Sequence, residues 1–240
     1  MLHLGTFLAV LIYFARDFWQ LIVGFFTGLA SGFREPMQRL ALYVVIGSIP
    51  LAIVGKVFER QFDRLFALPL FAAAFLLVTG LILFGVERLR QGHAGAENLT
   101  WWDAVLVGLS QVGGLVPGGS RSGFSIAAGM IAGLTREQAA RFSFLLAGPA
   151  ILGASIFELR RIVHPKPGAA AMPEGFVNAS AAPEPALVIA VGFLVAFISG
   201  LFAIRFFMRY VDRHRLTPFA IYCWLFGLSM IGLLLVRAHG

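Results

Sequence analysis

Charged side chains are scarce in this sequence: they make up 13% of its 240 residues, whereas 59% are hydrophobic and the mean hydropathy is +0.85. This composition excludes a soluble globular domain and predicts an all-α, polytopic integral membrane protein. The length allows about six or seven spans, packed as a single helical bundle. No basic leader precedes the apolar residues that follow Met1, so we expect no signal peptide.

Cysteine is nearly absent as well, and acidic residues are few. The one cysteine, Cys223, lies in an apolar stretch and offers neither a disulfide nor a cysteine metal cluster. Nineteen Lys and Arg residues against twelve Asp and Glu residues give a formal charge of +7. Because the arginines flank apolar runs, this charge indicates basic cytoplasmic loops and no nucleic-acid partner.

Long apolar runs predict spanning helices over residues 40–58, 69–86, 139–157, 185–208 and 217–236. The run 1–14 is shorter than the roughly twenty residues that a crossing needs, and 18–26 is predicted to continue it along the interface. The polar segment 87–103 connects two helices, and we expect its acids, Glu87 among them, to lie in water. The segment 164–185, rich in Ala, Pro and Gly, is predicted to be an exposed loop.

Glycine and proline interrupt the apolar run between Trp101 and Leu134. Residues 113–123 hold five glycines, a proline, and Arg121 between two serines. Since this break forbids a continuous helix, the runs 104–116 and 122–134 predict two half-length helices in a re-entrant hairpin. An arginine at that depth costs a few kcal/mol or more unless a polar or anionic group pairs with it. Together with hydroxyls and a helix N-terminus, it predicts an anion site, most naturally for phosphate.

Basic residues also predict a topology. Eleven connector charges fall on one side of the predicted bundle and seven on the other, with Arg121 inside it, so the first side is cytoplasmic. The hairpin then enters from the cytoplasm and both chain termini lie outside. A weak internal echo, residues 46–55 against 191–200, suggests two repeats of inverted topology, 1–86 and 87–240, in one transmembrane domain.

The break carries the sequence Pro-Gly-Gly-Ser-Arg-Ser-Gly at 117–123, with Gln111 six residues before the proline. This stretch resembles the second signature of the undecaprenyl-pyrophosphate phosphatase (bacitracin-resistance) family. The segments 4–10, 142–147 and 218–222 are similar to further parts of that family, so the likeness covers essentially the whole chain.

The resemblance implies hydrolysis of undecaprenyl pyrophosphate to undecaprenyl phosphate at the outer face of the bacterial inner membrane, which recycles the cell-wall carrier lipid. It also implies a divalent cation, Mg²⁺ or Ca²⁺, held by carboxylates of a first, glutamate-rich signature that ends in Ser-Ser-x-Gly-His. No such signature precedes Gly5. We therefore expect a start assigned to an internal methionine or a truncated form, and negligible activity from residues 1–240 alone. A homodimer is left open.

Arg121 is the principal candidate among the site residues, because its planar donor fork suits phosphate oxygens and developing negative charge. Ser120 and Ser122 are expected to donate hydrogen bonds to those oxygens, with turn formation as the alternative. Either serine could be proposed as the nucleophile, but a serine nucleophile needs an adjacent base and the sequence nearby shows none.

Four further residues are candidates for substrate binding. Ser125 follows Arg121 by one helical turn and takes, by resemblance, a position where the family commonly has threonine; helix packing is its alternative role. Gln111 would orient water or phosphate, or make a structural hydrogen bond. Gly118 and Gly119 would let the backbone approach phosphate closely.

Two other functions remain open from the sequence. Inverted repeats with re-entrant helices are also transporter architecture, so a flippase for the monophosphate carrier lipid would use the same anion site without cleavage. The third alternative is an inactive relative that serves as a binding or regulatory subunit.

Overall fold

The computed structural model describes residues 2–88, 92, 95, 98–163 and 185–239, and it confirms the all-α fold. The helices of these residues are, in chain order, α1 (Leu2–Tyr13), α2 (Ala15–Ser31), α3 (Pro36–Val57), α4 (Glu59–Phe66), α5 (Pro69–Arg88), α6 (Trp101–Ser110), a 3₁₀ helix (Gln111–Leu115), α7 (Arg121–Ile131), α8 (Arg136–Val163), α9 (Pro185–Arg213) and α10 (Thr217–His239). The predicted loop 164–185 lies outside the described residues except for its last position.

Four of these helices are long and apolar enough to cross a membrane: Pro36–Val57, Pro69–Arg88, Ala190–Arg213 and Thr217–Arg237. The count becomes five if α1 and α2 together form one span. Because it covers only described residues, it does not test the six or seven spans expected from the length. It does establish a multi-pass membrane protein. The short helix α4 was not predicted, since its eight residues are mostly polar or charged.

Two helices begin at capping boxes that the sequence encodes locally. Glu35 precedes Pro36, the first residue of α3, and exchanges hydrogen bonds with Gln38. At α6, the Asp103 carboxylate accepts hydrogen bonds from the Thr100 backbone N–H at 2.8 Å and its hydroxyl at 2.6 Å. These caps satisfy N–H groups that a helix start leaves without partners. Asp103, expected to be a connector charge in water, therefore fixes the start of the first hairpin helix.

The chain divides into two compact units. One comprises Met1–Ala15 and Gly148–Phe206, and the other Arg16–Ala147 and Phe207–Gly240. The boundaries fall within α2, α8 and α9. The predicted repeats rest on internal symmetry rather than on compactness, and they stay a prediction.

In the first unit, small residues bring α1 against α9. A Cβ added at Gly5 would lie 2.7 Å from the Phe193 carbonyl oxygen, and one at Gly200 would lie 3.1 Å from the Ala9 Cβ. Small residues at such crossings let helices approach closely, as is common between membrane helices.

In the second unit, α5 packs along α10 and α3 packs against α6. The Trp224 indole N–H of α10 donates to the Leu77 carbonyl of α5 at 3.2 Å, and its ring lies over Gly80. Gly47 of α3 and Gly108 of α6 approach so closely that a Cβ on either would meet protein atoms. The contact between Gly47 and Gly108 holds α3 beside α6, the first hairpin helix.

Glu87 corrects one expectation from the sequence, because it does not lie in water. Its side chain is 2% exposed and receives two hydrogen bonds from the Arg136 guanidinium, at 2.7 and 2.9 Å. It also accepts the Leu216 backbone N–H at 2.9 Å, just before α10 begins. A carboxylate can be buried when it is paired and hydrogen-bonded in this way. One acid thus ties together the end of α5, the start of α8 and the start of α10.

Candidate anion site at the hairpin break

The predicted hairpin consists of two short helices joined by a 3₁₀ helix and a tight turn. α6 ends at Ser110 and α7 begins at Arg121, and both are too short to cross a bilayer. The two helices pack against each other, as the hairpin prediction requires. Its entry from one face of the membrane stays a prediction.

Residues 116–119 form the turn. Its hydrogen bond runs from the Gly119 N–H to the Val116 carbonyl at 2.8 Å, and Gly118 has a φ of +84°. Proline at the second position and a left-handed glycine at the third are the requirements of a type II turn, which explains Pro117-Gly118. The Thr79 hydroxyl of α5 donates to the Gly118 carbonyl at 3.0 Å and fixes the turn to that helix.

Ser120 is the N-cap of α7. Its backbone is extended, and its hydroxyl oxygen accepts the Gly123 N–H at 3.1 Å, as N-cap serines do. The side chain is exposed, and its hydroxyl hydrogen stays available as a donor. Ser120 therefore has the turn-forming role that the sequence left open, and its hydroxyl can still donate to a ligand.

Two backbone N–H groups remain available at the first turn of α7. Among the described residues, nothing accepts a hydrogen bond from the Arg121 or Ser122 N–H, and the Ser122 hydroxyl has no hydrogen-bond partner either. These donors lie at the positive end of the helix dipole, where anions are stabilised. The predicted helix N-terminus at the break is confirmed.

Arg121 itself carries a guanidinium that no described carboxylate neutralises. The residue is only partly exposed, and no described Asp or Glu lies within 4.0 Å of it. Gly114 lies against its Cα and Cβ, so the backbone of the 3₁₀ helix limits where the side chain can go. Five N–H donors beside a helix N-terminus form a strongly electropositive site.

Two predicted binding residues point into the protein instead. Gln111 is 1% exposed, and its amide nitrogen donates to the Gly47 carbonyl of α3 at 3.2 Å. Ser125 is 1% exposed, and its hydroxyl contacts the Arg121 carbonyl and the Ser143 hydroxyl of α8. Each side chain thus makes the structural hydrogen bond or packing contact that the sequence left open.

The glycines of the break all serve close packing. A Cβ on Gly118 would meet the Ala72 carbonyl oxygen, and one on Gly119 would meet the Gly113 carbonyl oxygen. At Gly113 an added Cβ would lie 2.6 Å from the Phe124 ring. Only glycine permits backbone segments to approach this closely. A direct approach of the loop to phosphate stays a prediction.

Sequence reasoning missed two residues that hold the site. Thr79 gives no local signal, because a threonine within an apolar helix is unremarkable and its partner lies 39 residues away. Ser143 stands in the segment 142–147 that carries part of the family resemblance, which was the available signal for it.

The residues around Arg121 do not fit a divalent cation on their own. They supply a guanidinium, backbone N–H groups and serine hydroxyls, whereas Mg²⁺ and Ca²⁺ take carboxylate and other oxygen ligands. In the described part of the chain, no three His, Cys, Asp or Glu side chains are grouped closely enough to hold a metal ion. We therefore derive no chemical step through a metal.

Comparison with known proteins identifies the family of this chain. The family model described as bacitracin resistance protein BacA matches residues 1–229. Undecaprenyl-diphosphatase of Methanobrevibacter smithii is 39% identical over 237 residues, which cover 95% of this chain and 80% of that protein. Undecaprenyl-diphosphatase 1 of Burkholderia pseudomallei is 38% identical over 241 residues, with 99% and 81% covered. Undecaprenyl-diphosphatase of Acidiphilium cryptum is 39% identical over 236 residues, with 96% and 80% covered. The chain belongs to the family of bacitracin resistance protein BacA.

Proposed function

We propose that this chain is an undecaprenyl-diphosphatase of the bacterial inner membrane, with its active site open to the outer face. It hydrolyses undecaprenyl pyrophosphate to undecaprenyl phosphate and inorganic phosphate. The observation that carries the proposal is Arg121: a partly buried guanidinium, without a carboxylate partner among the described residues, at a helix N-terminus with free N–H groups. Relatives 35–39% identical bear the name of this activity.

The chemistry follows from where the positive charge lies. The Arg121 fork holds two oxygens of the diphosphate, and the N–H groups of Arg121 and Ser122 hold others, which neutralises the charge that develops in the transition state. The Ser120 and Ser122 hydroxyls donate to the same group. Water attacks the terminal phosphorus, the bridging P–O bond breaks, and the bridging oxygen leaves on the lipid phosphate.

Neither serine has a described base beside it, so attack by water is the mechanism that these residues support. Mg²⁺ or Ca²⁺ stays a proposal with ligands outside the described residues, and titration with a chelator in the assay below tests it.

The test is phosphate release from undecaprenyl pyrophosphate by purified protein in detergent. Arg121→Ala should lower turnover about a hundredfold or more, as loss of a charge-stabilising donor does. Arg121→Lys should recover only part of the rate, because an ammonium keeps the charge but lacks the planar fork. The matched control is Arg205→Ala, the same substitution at an exposed position of α9, and it should leave turnover unchanged.

Phosphate release that Arg121→Ala leaves unchanged would contradict the role given to Arg121. Transfer of undecaprenyl phosphate across vesicles with no phosphate release would overturn the proposal in favour of a flippase.

A further inference from the structure

Two buried serines lie close to the backbone of Arg121, one on each of two packed helices. Ser125 belongs to α7 and Ser143 to α8, and they are 1% and 3% exposed. Their hydroxyl oxygens are 2.6 Å apart. The Ser125 hydroxyl also lies 2.9 Å from the Arg121 carbonyl oxygen and 3.3 Å from that of Ser122. The four groups form a continuous polar path through an otherwise apolar contact.

The direction of these hydrogen bonds follows from the number of protons. Each serine hydroxyl has one hydrogen to donate. Among the described residues, the Ser143 hydroxyl has a single partner, the Ser125 oxygen. If Ser125 donated to Ser143, the Ser143 hydrogen would be buried without an acceptor, which folded proteins avoid. Ser143 therefore donates to Ser125, and Ser125 donates to the Arg121 carbonyl.

We propose that Ser143 is a positioning residue for Arg121 and acts on it through Ser125. This inference rests on the proposed phosphatase function, since it assigns Ser143 to the same site. The hydrogen bonds fix the carbonyl of the first residue of α7 against α8. Arg121 carries both the guanidinium and one free N–H, so both donors are held at fixed positions relative to the diphosphate. Neither serine touches substrate.

Positioning of this kind acts on turnover more than on substrate binding. The lipid tail and the remaining donors still bind a substrate whose headgroup is slightly misplaced, whereas transition-state stabilisation needs correct donor geometry. Ser143→Ala and Ser125→Ala should each lower kcat about tenfold and change KM less than about twofold.

A double-mutant cycle distinguishes positioning through Ser125 from a general structural role. If Ser143 acts through Ser125, the double variant should also lose about tenfold in kcat, because the second substitution removes nothing further. Two independent structural effects would multiply to about a hundredfold. Ser229→Ala is the matched control, since among the described residues Ser229 bonds only to the Leu225 carbonyl of its own helix, at 2.7 Å. The kcat of this variant should equal that of the parent.

The cycle is measured as phosphate release from undecaprenyl pyrophosphate, normalised to folded protein from size-exclusion chromatography. A multiplicative loss, or a rise in KM with kcat unchanged, overturns the inference and leaves the phosphatase proposal intact. If Ser143→Ala does not fold, Ser143→Cys replaces it, and a weaker donor of similar shape should give a smaller loss in kcat. If the parent releases no phosphate, the proposed function fails, and the positioning role, which rests on that function, fails with it.

Discussion

Removal of the Glu87 carboxylate should strongly destabilise the protein. Glu87 is almost completely buried and accepts three hydrogen bonds, two from Arg136 and one from the Leu216 backbone. Glu87→Ala would leave the Arg136 guanidinium, 15% exposed, without its partner. It would also leave the Leu216 N–H without an acceptor before α10.

The magnitude follows from burial. Loss of one partner of a buried ion pair typically costs about 3–5 kcal/mol, because the remaining charge is desolvated and uncompensated. Exposed pairs are worth about 0–1 kcal/mol. With the Glu87 side chain 2% exposed, the buried value applies. A loss of 3 kcal/mol raises the population of the opened state about a hundredfold or more, since each 1.4 kcal/mol is a factor of ten.

The single cysteine provides the assay. Cys223 lies in α10, six residues after Thr217, and is 7% exposed. A maleimide dye should therefore label it only when the start of α10 opens. When opening and closing are faster than labelling, the labelling rate reports the population of the opened state. We expect Glu87→Ala to be labelled about a hundredfold faster than the parent in the same detergent.

Two comparisons make the result decisive. Glu59→Ala removes an exposed carboxylate of α4 and should leave the labelling rate unchanged. Replacement of both Glu87 and Arg136 by methionine should restore much of the protection, because it leaves no buried charge unpaired. If Glu87→Ala is labelled at the parent rate, the argument from burial is wrong and the pair behaves as a surface contact.

Two smaller changes test the turn that carries the site. Thr79→Val keeps the shape of the side chain but leaves the Gly118 carbonyl without its donor. We expect a loss of about 1 kcal/mol in stability, measured by Cys223 labelling, and a lower kcat. An unchanged kcat would show that Thr79 does not hold the turn. Gly118→Ala should cost about 2 kcal/mol or more, from the left-handed backbone and the clash with Ala72. Gly85→Ala has open space around its Cβ and should be neutral or slightly stabilising; equal costs at the two glycines would contradict this.

The helices were predictable where apolar runs are bounded by proline or charge. Prolines at 69 and 185 and Thr217 mark helix starts in the sequence, and α5, α9 and α10 begin there. Helix ends were less predictable: α9 extends to Arg213 rather than 208, because its last turns keep helical structure after the apolar run is over. The helix α4 was missed since its amphipathic eight residues give no apolar run.

The site was predictable only as far as its residues are neighbours in the chain. The type II turn, the Ser120 cap and the N-terminus at Arg121 follow from local chemistry within 116–123. The inward direction of Gln111 and Ser125 depends on Gly47 and Ser143, which lie 64 and 18 residues away. No pattern within a single helix contains that information.

The two arginines that flank the hairpin helix α7 show what local sequence leaves undetermined. Arg121 begins α7 and Arg136 begins α8, and each follows a glycine-containing turn. Arg136 is compensated by Glu87, a residue of α5 that arrives from 49 positions away. Arg121 has no described carboxylate, although an arginine in an apolar layer is costly without an anion. Since the fold places an acid beside Arg136 and further N–H donors beside Arg121, Arg136 makes a structural contact, and we expect Arg121 to bind a negatively charged ligand.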